Sequence, residues 1–321
     1  MLRTLKPSRL LSSYAVNNAS HLGDALARDI PTVTLSFDKH SPALKPPSEK
    51  SPLIFLHGLF GSKSNTRTVA RTLATDMVRD VYCLDLRNFG LSPHHPRLDY
   101  PALLADVERF IDEQAFAQKP VVVGHSMGAK TAMALALRRP ELPRMVVAVD
   151  NAPVCLSASG PFGKYIRQLR TALEMQRYEN IKDVDAALAQ VEPSKEVRQF
   201  LLTNVARGAR GKACVSKIPL ATIADAVLRG NIAAWPYDCK VVRWTRGPAL
   251  FVRGMHSTYV PDELLPAIGS YFPRFELRNV NAGHWLISEK PQDFMEILRD
   301  FVERKEDEEM YDYSVGLFSR S

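Results

Sequence analysis

A serine stands between two glycines in Gly124-His125-Ser126-Met127-Gly128, with the apolar run Val121-Val122-Val123 before it and an alanine-rich stretch, 129–137, after it. A serine hydroxyl is a poor nucleophile at neutral pH, and this pattern is one that makes it usable. A strand that bends sharply into a helix at Ser126 holds the serine at positive φ with its hydroxyl clear of the backbone, leaving no room for side chains two positions either side. Gly124 and Gly128 supply that room. A helix starting near Met127 aims its unpaired N–H groups and positive dipole end at the place where an oxyanion would form. The chemistry this spacing predicts is acyl transfer through a nucleophile elbow.

The nucleophile needs a base within hydrogen-bond reach and an acid to hold that base in the right tautomer. His284, in Asn281-Ala282-Gly283-His284-Trp285 after the last apolar run, falls where the chain order serine, acid, histidine requires the base. His125 points away from the serine it precedes, and His256 comes before the expected position, so both are weaker candidates. The acid is ordinarily found in a G-x-x-D-x-x-V loop after the seventh strand, but here that loop reads Gly254-Met255-His256-Ser257-Thr258-Tyr259-Val260, with Ser257 in the aspartate slot. Asp150, ending the apolar run 145–149, satisfies the order and is preferred. Asp262 and Glu263 remain alternatives, although the first turn of a helix accounts for acids there without any catalysis. Ser257 is then placed to bond the carboxylate or His284.

A second oxyanion donor is expected where Leu53-Ile54-Phe55-Leu56 runs into His57-Gly58-Leu59-Phe60-Gly61. The N–H of Leu59 would join that of Met127, with Phe60 lining the pocket and His57 bracing the loop. Arg87 reads as a buried brace rather than a substrate contact. The adjacent His94 and His95 cannot share one helical face as metal ligands would.

The elements that must position these residues alternate. Strands are expected at 32–37, 53–56, 81–86, 121–124, 145–149, 249–253 and 276–280, and core helices at 64–77, 103–116 and 291–304. Such alternation predicts a mostly parallel sheet with helices on both faces, and right-handed crossovers bring the strand ends bearing the H-G loop, Ser126 and Asp150 to one edge. Residues 151–235 break the pattern with helical stretches near 162–178, 184–191, 196–206 and 218–228 and no convincing strand. They read as a helical cap inserted after the sixth strand, over a core of residues 24–150 and 236–304, with an acidic, solvated tail at 305–321.

The chain has 321 residues, 45% hydrophobic and 8% aromatic, and no run approaches the length a membrane span needs. Its net charge of +7 is spread through the middle of the chain without a block of like charge, which fits an ordinary basic surface better than a nucleic-acid face. The four cysteines, Cys83, Cys155, Cys214 and Cys239, lack metal-ligand spacing and read as reduced thiols. Residues 1–23 hold Arg3, Lys6 and Arg9 but no acid, and place Leu10, Leu11 and Tyr14 opposite Ser8, Arg9, Ser12 and Ser13. That composition is expected of a mitochondrial targeting leader.

Several stretches together, His57-Gly58-Leu59-Phe60-Gly61 with the Ser62-Lys63-Ser64-Asn65 that follows, Asp85-Leu86-Arg87-Asn88-Phe89-Gly90-Leu91-Ser92, the serine elbow, Ala148-Val149-Asp150-Asn151-Ala152-Pro153-Val154 and Asn281 to Trp285, make the chain resemble the abhydrolase domain-containing protein 11 family. That family of mitochondrial α/β-hydrolases includes fungal relatives and the ethanol acetyltransferases of yeasts. The resemblance covers about residues 51–155 and 249–302 and leaves the cap poorly matched. It implies an α/β-hydrolase fold and a mitochondrial serine hydrolase of small esters or thioesters, with Ser126, Asp150 and His284 as its triad; it strengthens Asp150 because the family tends to carry serine at the place of Ser257. A second reading changes only the acceptor: an alcohol instead of water resolves the acyl-enzyme, making acetate esters from acetyl-CoA. A third, of another class, is a weakly catalytic matrix binding protein on the same scaffold. None of these calls for a cofactor or a metal.

Overall fold

The computed structural model describes residues 29–42, 50–155 and 161–318, so the leader at 1–23 lies outside the described residues. In chain order the strands are β1 (Phe37–His40), β2 (Leu53–Leu56), β3 (Val81–Leu84), β4 (Val121–His125), β5 (Met145–Val149), β6 (Val205–Ala206), β7 (Val215–Ser216), β8 (Ala249–Gly254) and β9 (Phe275–Val280). Seven of them form one sheet in the order β1-β3-β2-β4-β5-β8-β9. Only β1, at one edge, is antiparallel to its neighbour. The strand ahead of the cap is thus the fifth among the described residues rather than the sixth.

The expected strand at 32–37 begins only at Phe37. Upstream, the Val33 N–H donates to Asp106 Oδ1 (2.8 Å) and the Ser36 N–H to Ser92 Oγ (2.9 Å), so side chains take the donors that a ladder would use. Elsewhere the period of two sorts the strands into two cores. Val121 and Val123 of β4 pack with Leu73, Phe294 and Leu298 on one face of the sheet, while Val122 packs with Leu103, Val107 and Met133 on the other. A strand covered on both faces has no polar positions, which is why β2, β4 and β5 read as unbroken apolar runs.

The covering helices are α1 (Arg67–Asp76), α2 (Tyr100–Gln114) and α3 (Met127–Arg138), then, after the cap, α8 (Leu265–Tyr271), α9 (Leu286–Glu289) and α10 (Pro291–Phe318). The last was expected to stop at 304 with an acidic tail beyond. Instead the helix continues, because its acids find partners: Glu306 meets Arg79 (2.9 Å) and Arg144 (3.0 Å), Glu309 meets Arg144 (2.7 Å), and Glu308 meets Lys305 (2.7 Å). Among the described residues no helix is long and apolar enough to cross a membrane.

Between β5 and β8 lie α4 (Phe162–Arg170), α5 (Ile181–Ala189), α6 (Lys195–Leu202) and α7 (Leu220–Leu228). Two features differ from the sequence expectation. The first helix passes into a π-helical turn at Thr171–Met175, and β6 and β7 make a short antiparallel pair in which Val205 meets Ser216. These helices share one apolar cluster with the core, in which Tyr165, Leu169, Leu201 and Ile223 join Phe60 and Met127.

Polar bonds seat the end of this segment on α2 and α3. The Tyr100 hydroxyl donates to Ile232 O (2.6 Å), and Lys130 Nζ donates to Ala233 O (3.0 Å) and Ala234 O (3.4 Å). Lys130 is fully buried, and no carboxylate pairs with it among the described residues. Burial pushes its ammonium down from 10.5 to about 7. Between those two values the unfolded chain holds a proton that the folded chain has released, so stability rises with pH across that window. Below about 7 both states are protonated and this group gives no slope. The rise in Tm between neutral and moderately alkaline pH should therefore be smaller in Lys130→Met than in the wild type, as measured by thermal melts at matched ionic strength.

Candidate active site

Ser126 sits at φ 54° and ψ −114°, between the end of β4 and the start of α3. That backbone conformation costs on the order of 1–3 kcal/mol and survives only where its surroundings impose it. The Ser126 N–H donates to Val149 O (2.9 Å), and its carbonyl accepts from Ala129 N (3.0 Å) and Asn151 Nδ2 (3.0 Å). Close packing fixes the rest. A Cβ added at Gly124 would lie 2.1 Å from Gly128 O, and one at Gly128 would lie 2.1 Å from Leu56 O. Both obstacles are backbone, which cannot swing aside, so Gly128→Ala should lose about 1–3 kcal/mol or more of stability and most of its turnover. A thermal melt and an esterase assay on that variant check this together.

Around the serine the chain brings three of the expected side chains into line. His284 Nε2 lies 3.0 Å from Ser126 Oγ, and His284 Nδ1 lies 2.6 Å from Asp150 Oδ2. Asp150 is fully buried at the end of β5, also in the left-handed region at φ 52°. Its carboxylate accepts three hydrogen bonds: from Gly254 N at Oδ1 (3.1 Å), and from His284 Nδ1 and Ser257 Oγ at Oδ2. Because the carboxylate accepts the hydrogen bond of Nδ1–H and so keeps the proton on that nitrogen, the imidazole offers the lone pair of Nε2 to the serine hydroxyl.

The alternatives for the acid lie elsewhere. The Asp262 side chain is 77% exposed and pairs with Arg253 (2.6 Å), and Glu263 is exposed. Neither alternative base stands in the line. His256 is exposed against Asn281 Oδ1 (2.8 Å), and His125 turns from the serine to donate from Nε2 to the backbone carbonyl of His284 (2.7 Å). Burial, then the neighbouring His284, depresses the His125 imidazole and keeps it neutral. In that state Nε2 carries the proton the carbonyl requires, and His125 steadies the loop of His284.

Gly58 borders the serine closely, for a Cβ there would meet Ser126 Cβ at 3.1 Å. The next N–H, that of Leu59, and the N–H of Met127 both belong to buried residues and have no acceptor among the described residues. His57 is a brace, accepting from Leu86 N at Nε2 (3.0 Å) and donating from Nδ1 to Gly58 O (2.8 Å), with burial holding its imidazole neutral. Phe60, at φ 64°, is joined to the cap twice: its ring lies 6.1 Å from that of Phe162, and its carbonyl accepts from Asn204 Nδ2 (2.8 Å). Trp285 makes a second link, packing on Phe200 of α6 (4.6 Å between centroids) and edge-on to His284 (5.4 Å).

Arg87 braces, holding Asp106 through two bonds of 2.6 and 2.7 Å and reaching Pro31 O. His94 contacts Lys217 O (3.2 Å) and His95 the Asn88 side chain (2.7 Å), both away from the serine. Cys83 and Cys214 are buried, Cys155 and Cys239 are half-buried, and all four are free. Two residues escaped the sequence reading. The ring of Tyr259 stacks on His284 at 4.1 Å and 18°, and the Asn151 amide ties the Ser126 carbonyl. Their signals were position alone: Tyr259 two residues after Ser257 in the same loop, and Asn151 directly after Asp150.

A buried carboxylate, an oriented imidazole and a serine on a strained elbow thus stand in one line, beside two N–H groups that have no acceptor among the described residues. Residues 51–291 match the model of the alpha/beta hydrolase fold family. The "Probable alcohol acetyltransferase" of Saccharomyces cerevisiae is 44% identical over 80% of this chain and 79% of its own length. The mouse "sn-1-specific diacylglycerol lipase ABHD11" is 36% identical over 78% of this chain and 80% of its own. Among solved structures, a "Marine microorganism esterase" superposes with a TM-score of 0.73 at 29% identity, over 84% of this chain and 100% of the esterase. The chain therefore belongs to the alpha/beta hydrolase fold family, in the branch that holds abhydrolase domain-containing protein 11 and the yeast alcohol acetyltransferases.

Proposed function

We propose that this chain cleaves small acyl esters or thioesters through an acyl-enzyme on Ser126. One observation carries the reading: the unbroken line of hydrogen bonds from Ser126 Oγ through His284 to Asp150, at 3.0 and 2.6 Å. Ser126 Oγ attacks the acyl carbonyl as His284 Nε2 takes the hydroxyl proton, and Asp150 stabilises the imidazolium. The N–H groups of Leu59 and Met127 hold the oxyanion. The leaving alcohol or thiol departs with the proton from Nε2. Water then attacks the acyl-enzyme, again with His284 as base, and releases the acid. Phe60 and Trp285, both in contact with the cap, wall the site against solvent.

A fluorophosphonate probe tests the reading, since it should label the wild type and leave Ser126→Ala unlabelled. Folded wild-type protein that resists the probe would instead favour the binding-protein reading.

The 44% identity to a yeast acetyltransferase favours a second acceptor. Here acetyl-CoA acylates Ser126 with loss of the CoA thiol, and an alcohol, deprotonated by His284, takes the acetyl group. Incubating the enzyme with acetyl-CoA and ethanol decides it; no ethyl acetate above the Ser126→Ala background would sink this version. The site of action is proposed to be the mitochondrion, on the composition of residues 1–23. Fusion of those residues to a fluorescent protein tests the address, and a diffuse cytosolic signal would refute it.

A further inference from the structure

A groove among the helices of residues 162–228 is lined by none of the residues that the proposed chemistry uses. It lies between α7 and the helix formed by α4 and its π-helical continuation, and its volume is about 310 Å³. Ile166, Ala224 and Val227 line it, and a side chain at Gly163 would meet nothing within 4 Å. At its margin stand two large apolar side chains in full view of solvent, Met175 at 78% and Leu228 at 75% exposure. Exposed pairs of this size beside an apolar groove mark a surface that another body covers.

Charge says which body. Residues 161–235 hold twelve Lys or Arg against seven Asp or Glu. Along the groove the excess is sharper. Arg167 and Arg170 line it, and Lys164, Arg177 and Arg229 are exposed on the segments that flank it; of the acids there, Glu174 and Asp225 are taken up by Arg170 (2.9 Å) and Arg229 (2.6 Å), which leaves Glu179 beyond Arg177. Lys164, Arg167 and Arg177 have no ion pair among the described residues. Protruding apolar side chains on segments with an excess of bases match the two layers of an anionic membrane surface, phosphates outside and acyl chains beneath.

We propose that this face of the cap docks on an anionic lipid bilayer. Met175 and Leu228 enter the acyl boundary, and Arg167 with its neighbouring bases meets the lipid phosphates. The orientation also has a use: α4, whose Phe162 packs on Phe60 of the oxyanion loop, forms one wall of the groove, so the cap would be held against the phase in which acyl lipids are concentrated.

Co-sedimentation of the full chain with vesicles tests this. Binding should be at least ~10-fold tighter to phosphatidylcholine vesicles containing about one third phosphatidylglycerol than to phosphatidylcholine alone, and should weaken as salt is raised. Met175→Glu with Leu228→Glu should lose that binding at least ~10-fold while hydrolysing a soluble ester at the wild-type rate, which also reports that the variant is folded. Val241→Glu, at another exposed apolar position, should bind as the wild type does. Arg167→Gln gives a milder variant whose affinity falls only at low salt. Absence of vesicle binding by the wild type, equal binding to both vesicle types, retention of binding by the double variant, or binding of monomeric dodecanoate without vesicles would each overturn the proposal. Because the readout is lipid binding and not turnover, its failure leaves the catalytic reading untouched.

Discussion

Ser126→Ala should fold as the wild type does and lose on the order of 10⁴- to 10⁶-fold in kcat. The substitution removes one oxygen from a side chain that is 5% exposed, and alanine suffers at φ 54° no more than serine does, so the elbow keeps its shape. What disappears is the hydroxyl, 3.0 Å from His284 Nε2, whose proton that nitrogen would take. The N–H groups of Leu59 and Met127 remain, and oxyanion donors with substrate binding sustain a residual rate over water of about 10³- to 10⁴-fold. Steady-state hydrolysis of an activated acetate ester, with a melt to confirm folding, measures the loss. A variant retaining more than about one hundredth of the activity would place the nucleophile elsewhere, since a triad cannot lose its serine so cheaply.

That prediction was available from eight residues, 121–128, because strand, glycine pair and helix state the elbow locally. The same holds for the covered strands, whose valine runs reflect burial on both faces. The acid was harder: the expected slot holds Ser257, and Asp150 was favoured by the order of elements and by the family resemblance alone. Its three donors come from residues more than one hundred positions away, which no local pattern encodes. Tyr259 over His284 was illegible for the same reason, since a stacked ring depends on how a loop closes. At the chain's end the sequence misled. Glu306 and Glu309 look like solvated charge until Arg79 and Arg144, contributed by distant segments, are packed beside them. Edges followed one rule as well: where Asp106 and Ser92 capture backbone donors, the strand expected at 32–37 cannot begin before Phe37.

Asp150→Asn and Asp262→Asn should part company by orders of magnitude. In the wild type both Asp150 oxygens accept, Oδ1 from Gly254 N and Oδ2 from His284 and Ser257. An amide has one accepting oxygen and one donating nitrogen, so it cannot satisfy both sides. With the nitrogen toward His284, the imidazole must accept there and carry its proton on Nε2, the wrong tautomer for activating Ser126. With the nitrogen toward β8, the Gly254 N–H confronts another donor in a fully buried site, and stability falls. Turnover should drop by about 10⁴-fold for the first arrangement, with a lowered Tm as the signature of the second. Asp262 is 77% exposed in its pair with Arg253, and such surface pairs contribute little. Asp262→Asn should therefore keep kcat within about twofold and melt as the wild type does. Measuring both variants on one substrate separates the candidates, because collapse of Asp262→Asn with survival of Asp150→Asn would move the acid to the loop after β8 and leave the buried carboxylate a structural role alone.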